Sequence, residues 1–488
     1  MSFTPEERRA YCRNENVRAR IFEFFGHEVH DERPAMFLAV GTEAGSRYRE
    51  ALPVDELISW LDRGAELNRS LWDRESLVCH LDIEYVNFDD PAYAFLNEER
   101  IFALQEPVVA AAESFLASLG ICPLKLMTGR GYHLVWQISR KSRAFAELAD
   151  LGHVPASLKL LYATERAPTG EHVSPELGAA FAGLGLIVEF VAQEVKRHAA
   201  PLCKVPVDLG AIETGGGPHG REMISIDITE YADPLSSRVM RAPFSVYLKP
   251  AQQRFVIGEG VAEELLPVVV VPTADLTVTE ALAVRHDPAA AARLAESSST
   301  AIPDASRPMK RLIKAYHRSR LASFHADFYS QVHDAPALWP ETYDRTPLDV
   351  LPPCTRTILE HPNDLLLRPG CAQRVVRVML ALGWHPRHIA GLIRSKYERD
   401  HGWGDQWRGY DPATRADFYA RVFAGLFISG GDDAVDFNCQ SAREEGICFV
   451  AECSENLQPF RDSLLERRAH ERLACRPFNR LFLPEEHL

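Results

Sequence analysis

The sequence predicts an α+β protein: a mixed-sheet domain over residues 1–262, a connecting module over 263–345, and a mainly helical domain over 346–488. Three observations carry this expectation. Strand-like and helix-like stretches alternate through the first half, the pattern of helices packed on a sheet. Composition shifts to alanine- and serine-rich runs after residue 263. From residue 350 onward the pattern is mostly helical.

The elements follow in order. Residues 5–65 hold helical stretches such as Glu15–Phe25. Leu77–Tyr85 (LVCHLDIEY) reads as a strand, and 98–119 as an amphipathic helix stopped by Gly120. Lys125–Met127 leads into the turn Thr128-Gly-Arg-Gly131, and His133-Leu-Val-Trp136 opens the next strand. Residues 145–200 alternate helical segments with loops. Residues 222–230 and 243–257 read as strands through Met223–Ile226 and Phe244–Leu248. A valine-rich strand at 268–271, an alanine-rich segment and Glu296–Thr300 make up the connecting module. Beyond it, helices are expected at 374–382, 388–398 and 413–427. No internal repeat is visible.

Composition bounds the function. At 46% hydrophobic and 25% charged, the 488-residue chain belongs with soluble globular proteins. No apolar run approaches the ~20 residues that cross a bilayer, so no membrane partner is expected. The N-terminus lacks the form of a signal peptide, which makes a cytoplasmic location the expectation. A net charge of −14 argues against a surface that coats nucleic acid throughout. It leaves room for a local basic groove. Six of the ten cysteines lie between 354 and 475, a clustering that suggests a metal site rather than a disulfide scaffold.

Asp82 and Glu84 stand two residues apart on one strand, so both carboxylates face the same way. Paired oxygens on a rigid strand can hold hard divalent cations. Asp227, ending the strand Ile224–Ile226, offers a third carboxylate. Asp-x-Glu is common on exposed strands, but the apolar neighbours Val78, Leu81 and Ile83 suggest burial, where unpaired acids are expensive. Three such groups with Mg²⁺ or Mn²⁺ make the two-metal arrangement of phosphoryl transfer. The 128–133 turn offers backbone N–H groups, the Arg130 guanidinium and the His133 imidazole, a nest suited to an anionic, phosphate-bearing ligand. Arg241, Ser245 and Lys249 add two cations and a hydroxyl. The plainer reading of either cation is a solvated strand edge. Gly215–Gly217 lacks the Lys-Ser/Thr of a phosphate loop and reads as a hairpin turn; Asp89-Asp90 reads as a turn.

The order of these parts resembles the archaeo-eukaryotic primase superfamily: Asp-x-Glu on a strand, Gly-Arg-Gly-Tyr-His, an apolar run ending in Asp, then Arg-x-Pro-x-Ser-x-x-x-Lys. The resemblance covers about 170 residues and implies a fold of RNA-recognition-motif type. It implies metal binding by Asp82, Glu84 and Asp227, and nucleotide binding by Arg130, His133, Arg241, Ser245 and Lys249. Tyr247 departs from the family, which has histidine there.

Thiolates as dense as Cys439, Cys448 and Cys453, with Cys354 behind Pro352-Pro353, usually bind a metal or cluster in a reducing compartment. Paired Cys-x-x-Cys knuckles, the commoner zinc pattern, do not occur. One distant and three grouped cysteines fit a [4Fe–4S] cluster. Residues 350–460 also resemble the iron–sulfur domain of the primase large subunit, which implies Cys354, Cys439, Cys448 and Cys453 as ligands, with Cys371 and Cys475 as spares. Arg387, His388, Arg394, Lys396, Tyr397, Trp403, Trp407, Arg408 and Tyr410 combine cations with aromatics. Such a set suits a single-stranded template or an initiating 5′-triphosphate as well as ordinary helix packing.

The function expected is that of a DNA primase-polymerase. It would carry out template-directed nucleotidyl transfer from NTPs or dNTPs on single-stranded DNA, with a helicase or other replication proteins as further partners. Two other classes share these residues. One is a catalytically inactive nucleic-acid-binding replication module; the other is a nuclease or terminal transferase using the same acids.

Overall fold

The structure is a computed structural model. It describes residues 3–26, 34–43, 45, 46, 50–265, 267–403, 410–450, 453 and 456–479. The chain forms two compact units. The first comprises residues 1–211, 217–318 and 408–414, and the second 212–216, 319–407 and 415–488.

The first unit is α+β. Its strands are β1 (Leu38–Thr42), β2 (Gly45–Ser46), β3 (Glu66–Ser70), β4 (Ser76–Asn87), β5 (Leu124–Met127), β6 (Gly131–Ser139), β7 (Val207–Leu209), β8 (Glu222–Asp227), β9 (Val239–Arg241), β10 (Val246–Tyr247), β11 (Val268–Val269) and β12 (Val271–Pro272). Six build a sheet in the order β12-β5-β6-β4-β8-β7, antiparallel except for the β7–β8 pair. Four build a smaller sheet in the order β2-β1-β3-β9, and β10 pairs with β11.

Alternation along β4 divides the large sheet into two faces. Leu77, Cys79, Leu81, Ile83 and Tyr85 are buried. The helices Glu98–Ser118 and Pro175–Ala199 pack on this sheet, and Phe102 meets Tyr132 edge-on with ring centroids 5.3 Å apart. The odd-numbered β4 side chains therefore form the core. The even-numbered ones, including His80, Asp82 and Glu84, face the other way.

Local signals end the helices where the sequence places the stops. Asn14 caps Glu15–Phe25 by accepting from the Asn16 and Val17 N–H groups, and Gly26 closes it at φ +83°. Gly120, at φ +81°, follows the Glu98–Ser118 helix. The Pro175–Leu202 stretch is long and apolar enough to span a membrane, contrary to the expectation that no run comes close. Its most apolar 18-residue window is 78% buried inside the protein, as expected of a helix that gives most of its surface to the core.

Two expectations change. Of 243–257, only Val246–Tyr247 is strand; the helices Lys249–Gln252 and Arg254–Ile257 follow. Pro250 has no N–H to give a ladder. The 263–345 stretch does not form a module of its own. Val268–Pro272 supplies β11 and β12, and the Ser306–His317 helix buries Met309, Leu312, Ile313 and Tyr316 in the first unit. The units divide after Arg318, because the apolar residues before that point are already committed to the first core.

The second unit has no strand among its described residues. Its helices include Pro353–Glu360, Pro369–Ala381, Pro386–Tyr397, Cys439–Glu444 and Gln458–Asn479. Several start on proline, whose fixed φ and missing N–H suit the first helical turn. Arg377 lies inside this unit, donating to both Asp432 oxygens at 2.8 and 2.9 Å and to Asp436 at 2.8 Å.

Candidate active site and cysteine pocket

The register of three strands builds the site. Asp82 of β4 stands directly opposite His133 of β6 on one side and Asp227 of β8 on the other. One row across the sheet thus reads His133, Asp82, Asp227, all on the face away from the helical core. The His133 Nε2 lies 3.7 Å from Asp82 Oδ1. This row lines a cavity of about 580 Å³ together with His80, Glu230, Arg166, Arg238 and Arg241.

Glycine makes the close strand approach possible. A Cβ at Gly131 would lie 2.0 Å from the Ile83 carbonyl oxygen and 2.7 Å from Glu84 Cα. A Cβ at Gly129 would strike the Tyr247 ring at 2.0 Å. The turn is a tight β5–β6 hairpin, with the Thr128 N–H donating to the Gly131 carbonyl at 2.8 Å. Arg130 is not held open for a ligand: its guanidinium turns back onto Glu84 at 2.7 Å. A buried carboxylate needs a counter-charge, and Arg130 is the nearest one to hand.

Electrostatics separate the carboxylates. Burial pushes the Asp82 carboxyl well above its ordinary range; Glu84 and Asp227 push it the same way, and His80 only partly offsets them. Burial also acts on Glu84, but Arg130 and Lys249 outweigh it and hold its pKa below the usual value. Asp227 accepts from the Thr229 N–H and hydroxyl at 2.8 and 2.7 Å. Burial, then the neighbouring His80, Arg241 and Lys249, keep His133 neutral. For Lys249, burial and Arg130 lower the pKa to about 8.

Not every expected residue reaches the cavity. Asp82, His133, Asp227 and Arg241 line it; Glu84, Arg130, Ser245 and Lys249 are not among its lining residues. Ser245 is buried, and its hydroxyl accepts from the Leu67 N–H at 2.7 Å, a tie inside the fold. Glu84, Arg130 and Lys249 form a charged layer beside the cavity, next to Arg241 at its wall.

Three residues that sequence reasoning missed complete the arrangement. His80 sits on the Asp82 face, and its Nδ1 lies 2.6 Å from Glu230. Period-two alternation, read one step further back as His-x-Asp-x-Glu, would have found it. Glu66 is fully buried on β3 and accepts from Arg241 at 2.6 Å, from the Leu248 N–H at 3.0 Å and from Gln252 at 3.1 Å. No local signal marks Glu66 or Glu230, because their partners lie far away in sequence.

In the second unit, Cys354, Cys439, Cys448 and Cys453 line one small cavity of about 30 Å³. That is room for one or two water molecules. The Leu457 N–H points at Cys439 Sγ from 3.4 Å. Burial raises the Cys354 thiol, with Arg374 opposing it. Cys371 is buried and does not line this cavity; burial pushes its thiol to about 12. Trp407, Arg408 and the Cys475 side chain lie outside the described residues.

The aromatic–cationic set is largely knitted into packing. Arg387 lies over the Phe328 and Tyr329 rings and 2.6 Å from Asp417. His388 meets the Tyr343 hydroxyl at 3.1 Å, and Arg394 packs over Trp339 while pairing with Glu398 at 2.5 Å. Burial lowers the Lys396 pKa. Tyr397 donates to the Leu366 carbonyl and Trp403 to that of Arg399. Tyr410 belongs to the first unit, where it lines the Asp82 cavity.

The donor sets suit the groups that the resemblance implies. Asp82 is crowded by negative charge that a cation would relieve, and four thiols border one space. Among the described residues, no three His, Cys, Asp or Glu side chains are yet drawn to metal-holding distance. Comparison with family models, with curated proteins and with solved structures returns no match.

Proposed function

We propose that the chain is a primase-polymerase of the archaeo-eukaryotic type, transferring nucleotides from NTPs or dNTPs to a 3′-hydroxyl on a single-stranded DNA template. The observation that carries this is the His133–Asp82–Asp227 row at the wall of a cavity of about 580 Å³, with Glu84 next along the same face of β4 and just behind that wall. Divalent ions bound by Asp82, Glu84 and Asp227 would activate the attacking hydroxyl and neutralise the leaving pyrophosphate.

The chain's own groups supply the rest. Arg241, held by Glu66, presents a fixed cation at the cavity wall where phosphates would lie. Neutral His133 can give one hydrogen bond to a phosphate oxygen without repelling a metal ion. Asp227, anchored by Thr229, keeps its place in the row without a ligand. This is positioning catalysis, in which groups are set before substrate arrives. On the same unit, Arg307, Lys310, Arg311, Lys314 and Arg318 are exposed along and just beyond the Ser306–His317 helix, a local basic face on an acidic protein. It supports a polyanionic partner. The four cysteines would hold an iron–sulfur cluster in the second unit.

The test uses anaerobically purified protein, single-stranded templates with and without primer, both nucleotide types, and Mg²⁺ against Mn²⁺. Template-dependent incorporation that Asp82→Ala abolishes is expected. Strand cleavage instead of incorporation, or incorporation unaffected by Asp82→Ala, would overturn the reading.

A further inference from the structure

One buried group at the site has no task in the mechanism above. The His80 side chain is 4% exposed, and its Nδ1 is engaged by Glu230 at 2.6 Å. Its other nitrogen, Nε2, is buried with no hydrogen-bond partner in the protein. The imidazole lines the same cavity as Asp82 and Asp227 and meets the His133 ring edge-on at 4.4 Å. An orphaned buried nitrogen is costly unless something binds it.

The arrangement has a chemical precedent in general metal-site design. A ligating histidine gives one ring N–H to a carboxylate, which fixes its tautomer and points the other nitrogen at the metal. His80 with Glu230 has that form, beside two carboxylates. Resting on the polymerase reading above, we infer that His80 is an additional ligand of the metal site, through Nε2, with Glu230 as its positioning residue. The donor set then becomes mixed nitrogen and oxygen rather than all oxygen. Imidazole suits transition metals, whereas Mg²⁺ demands hard oxygen donors. The site therefore favours Mn²⁺ over Mg²⁺ more strongly than three carboxylates alone would.

The probe is Mn²⁺ alone, titrated into metal-depleted full-length protein and followed by electron paramagnetic resonance, with ¹⁵N-histidine labelling to detect a bonded nitrogen. In the unsubstituted protein, a ¹⁵N hyperfine coupling is expected on Asp82-dependent Mn²⁺. His80→Gln removes the coupling and narrows the Mn²⁺-over-Mg²⁺ preference. Glu230→Gln, which leaves the ring in place, weakens Mn²⁺ binding by roughly 10–100-fold. Asp82-dependent Mn²⁺ with no nitrogen coupling overturns the inference while leaving the polymerase reading intact. A coupling that persists in folded His80→Gln assigns the nitrogen elsewhere and overturns it too. If His80→Gln does not fold, unchanged affinity in Glu230→Gln overturns it. Absence of any Asp82-dependent Mn²⁺ binding overturns the metal reading itself, and this inference with it.

Discussion

The carboxylate row of the first unit and the cysteine pocket of the second are built by opposite means. The row hangs on three paired strands, where backbone hydrogen bonds set the spacing of Asp82, His133 and Asp227 before any ligand arrives. The four cysteines come from one helix start at Cys354, another at Cys439, and two loop positions, with a gap of about 30 Å³ between them. A sheet can hold like charges together because its ladder resists their repulsion. A pocket of loops and short helices has no such frame, and a bound cluster would supply part of its folding energy. The first site should thus be strained without metal, and the second should be loose.

Five measurements would break or sharpen that contrast, taken from the largest effect to the smallest. Asp82→Ala should cost the transfer reaction several kcal/mol, about 10³-fold or more, in a primer-extension assay. Near-normal rates would mean that the row is scaffold. Cys439→Ser should lose its iron and lower the melting temperature of the second unit, while Cys371→Ser keeps both; iron assay and calorimetry read this directly. Equal iron in both variants would remove Cys439 from the ligand set.

Glu66→Ala strips the counter-charge from Arg241 and should destabilise the protein by about 3 kcal/mol, as expected for breaking a buried pair. Urea unfolding followed by tryptophan fluorescence measures it. A loss of only a few tenths would show that Arg241 relaxes into water. Gly131→Ala forces a Cβ against the β4 backbone and should cost about 1–3 kcal/mol, the range of overpacking. It should also weaken Mn²⁺ binding, since the shift falls at Glu84.

The smallest effect is a pH trend. Burial and the neighbouring acids raise the Asp82 pKa above its ordinary 3.8, so the folded protein keeps a proton that the unfolded chain loses. The stability tied to that proton is fully present below 3.8 and falls as pH climbs towards the folded pKa. In chelator, Asp82→Asn should therefore melt higher than the unsubstituted protein, by a margin that widens from about pH 4 upward. A margin independent of pH would mean that Asp82 is not crowded by charge.

Much of the first site was legible before folding. Asp82 and Glu84 share a face by strand alternation alone, and His80 joins them by the same rule. The Gly-Arg-Gly turn was legible as tight, but its use was not. Arg130 answers Glu84, and Gly131 is needed because β4 passes too close for a side chain. Ser245 looked like a ligand by position in a motif, yet its hydroxyl ties β3 to the chain before β10. In the second unit, cysteine spacing foretold the shared pocket, and the four-residue step from Arg394 to Glu398 on an expected helix made that pair readable, whereas nothing local hinted that Arg387 would be taken by Asp417.

By itself the sequence determined what short range decides. It set the helix at Glu15–Phe25 between an asparagine cap and a glycine stop, the helix ending before Gly120, and the face shared by His80, Asp82 and Glu84. Those follow from capping chemistry and from the two-residue period of a strand. Only the tertiary structure decided that Asp227 lies opposite Asp82, that Glu66 holds Arg241, and that the valine run at 268–271 joins the first core. Each of these depends on which distant strands pair and in what register. That choice is settled by the burial of whole faces at once, a quantity no local stretch of residues contains.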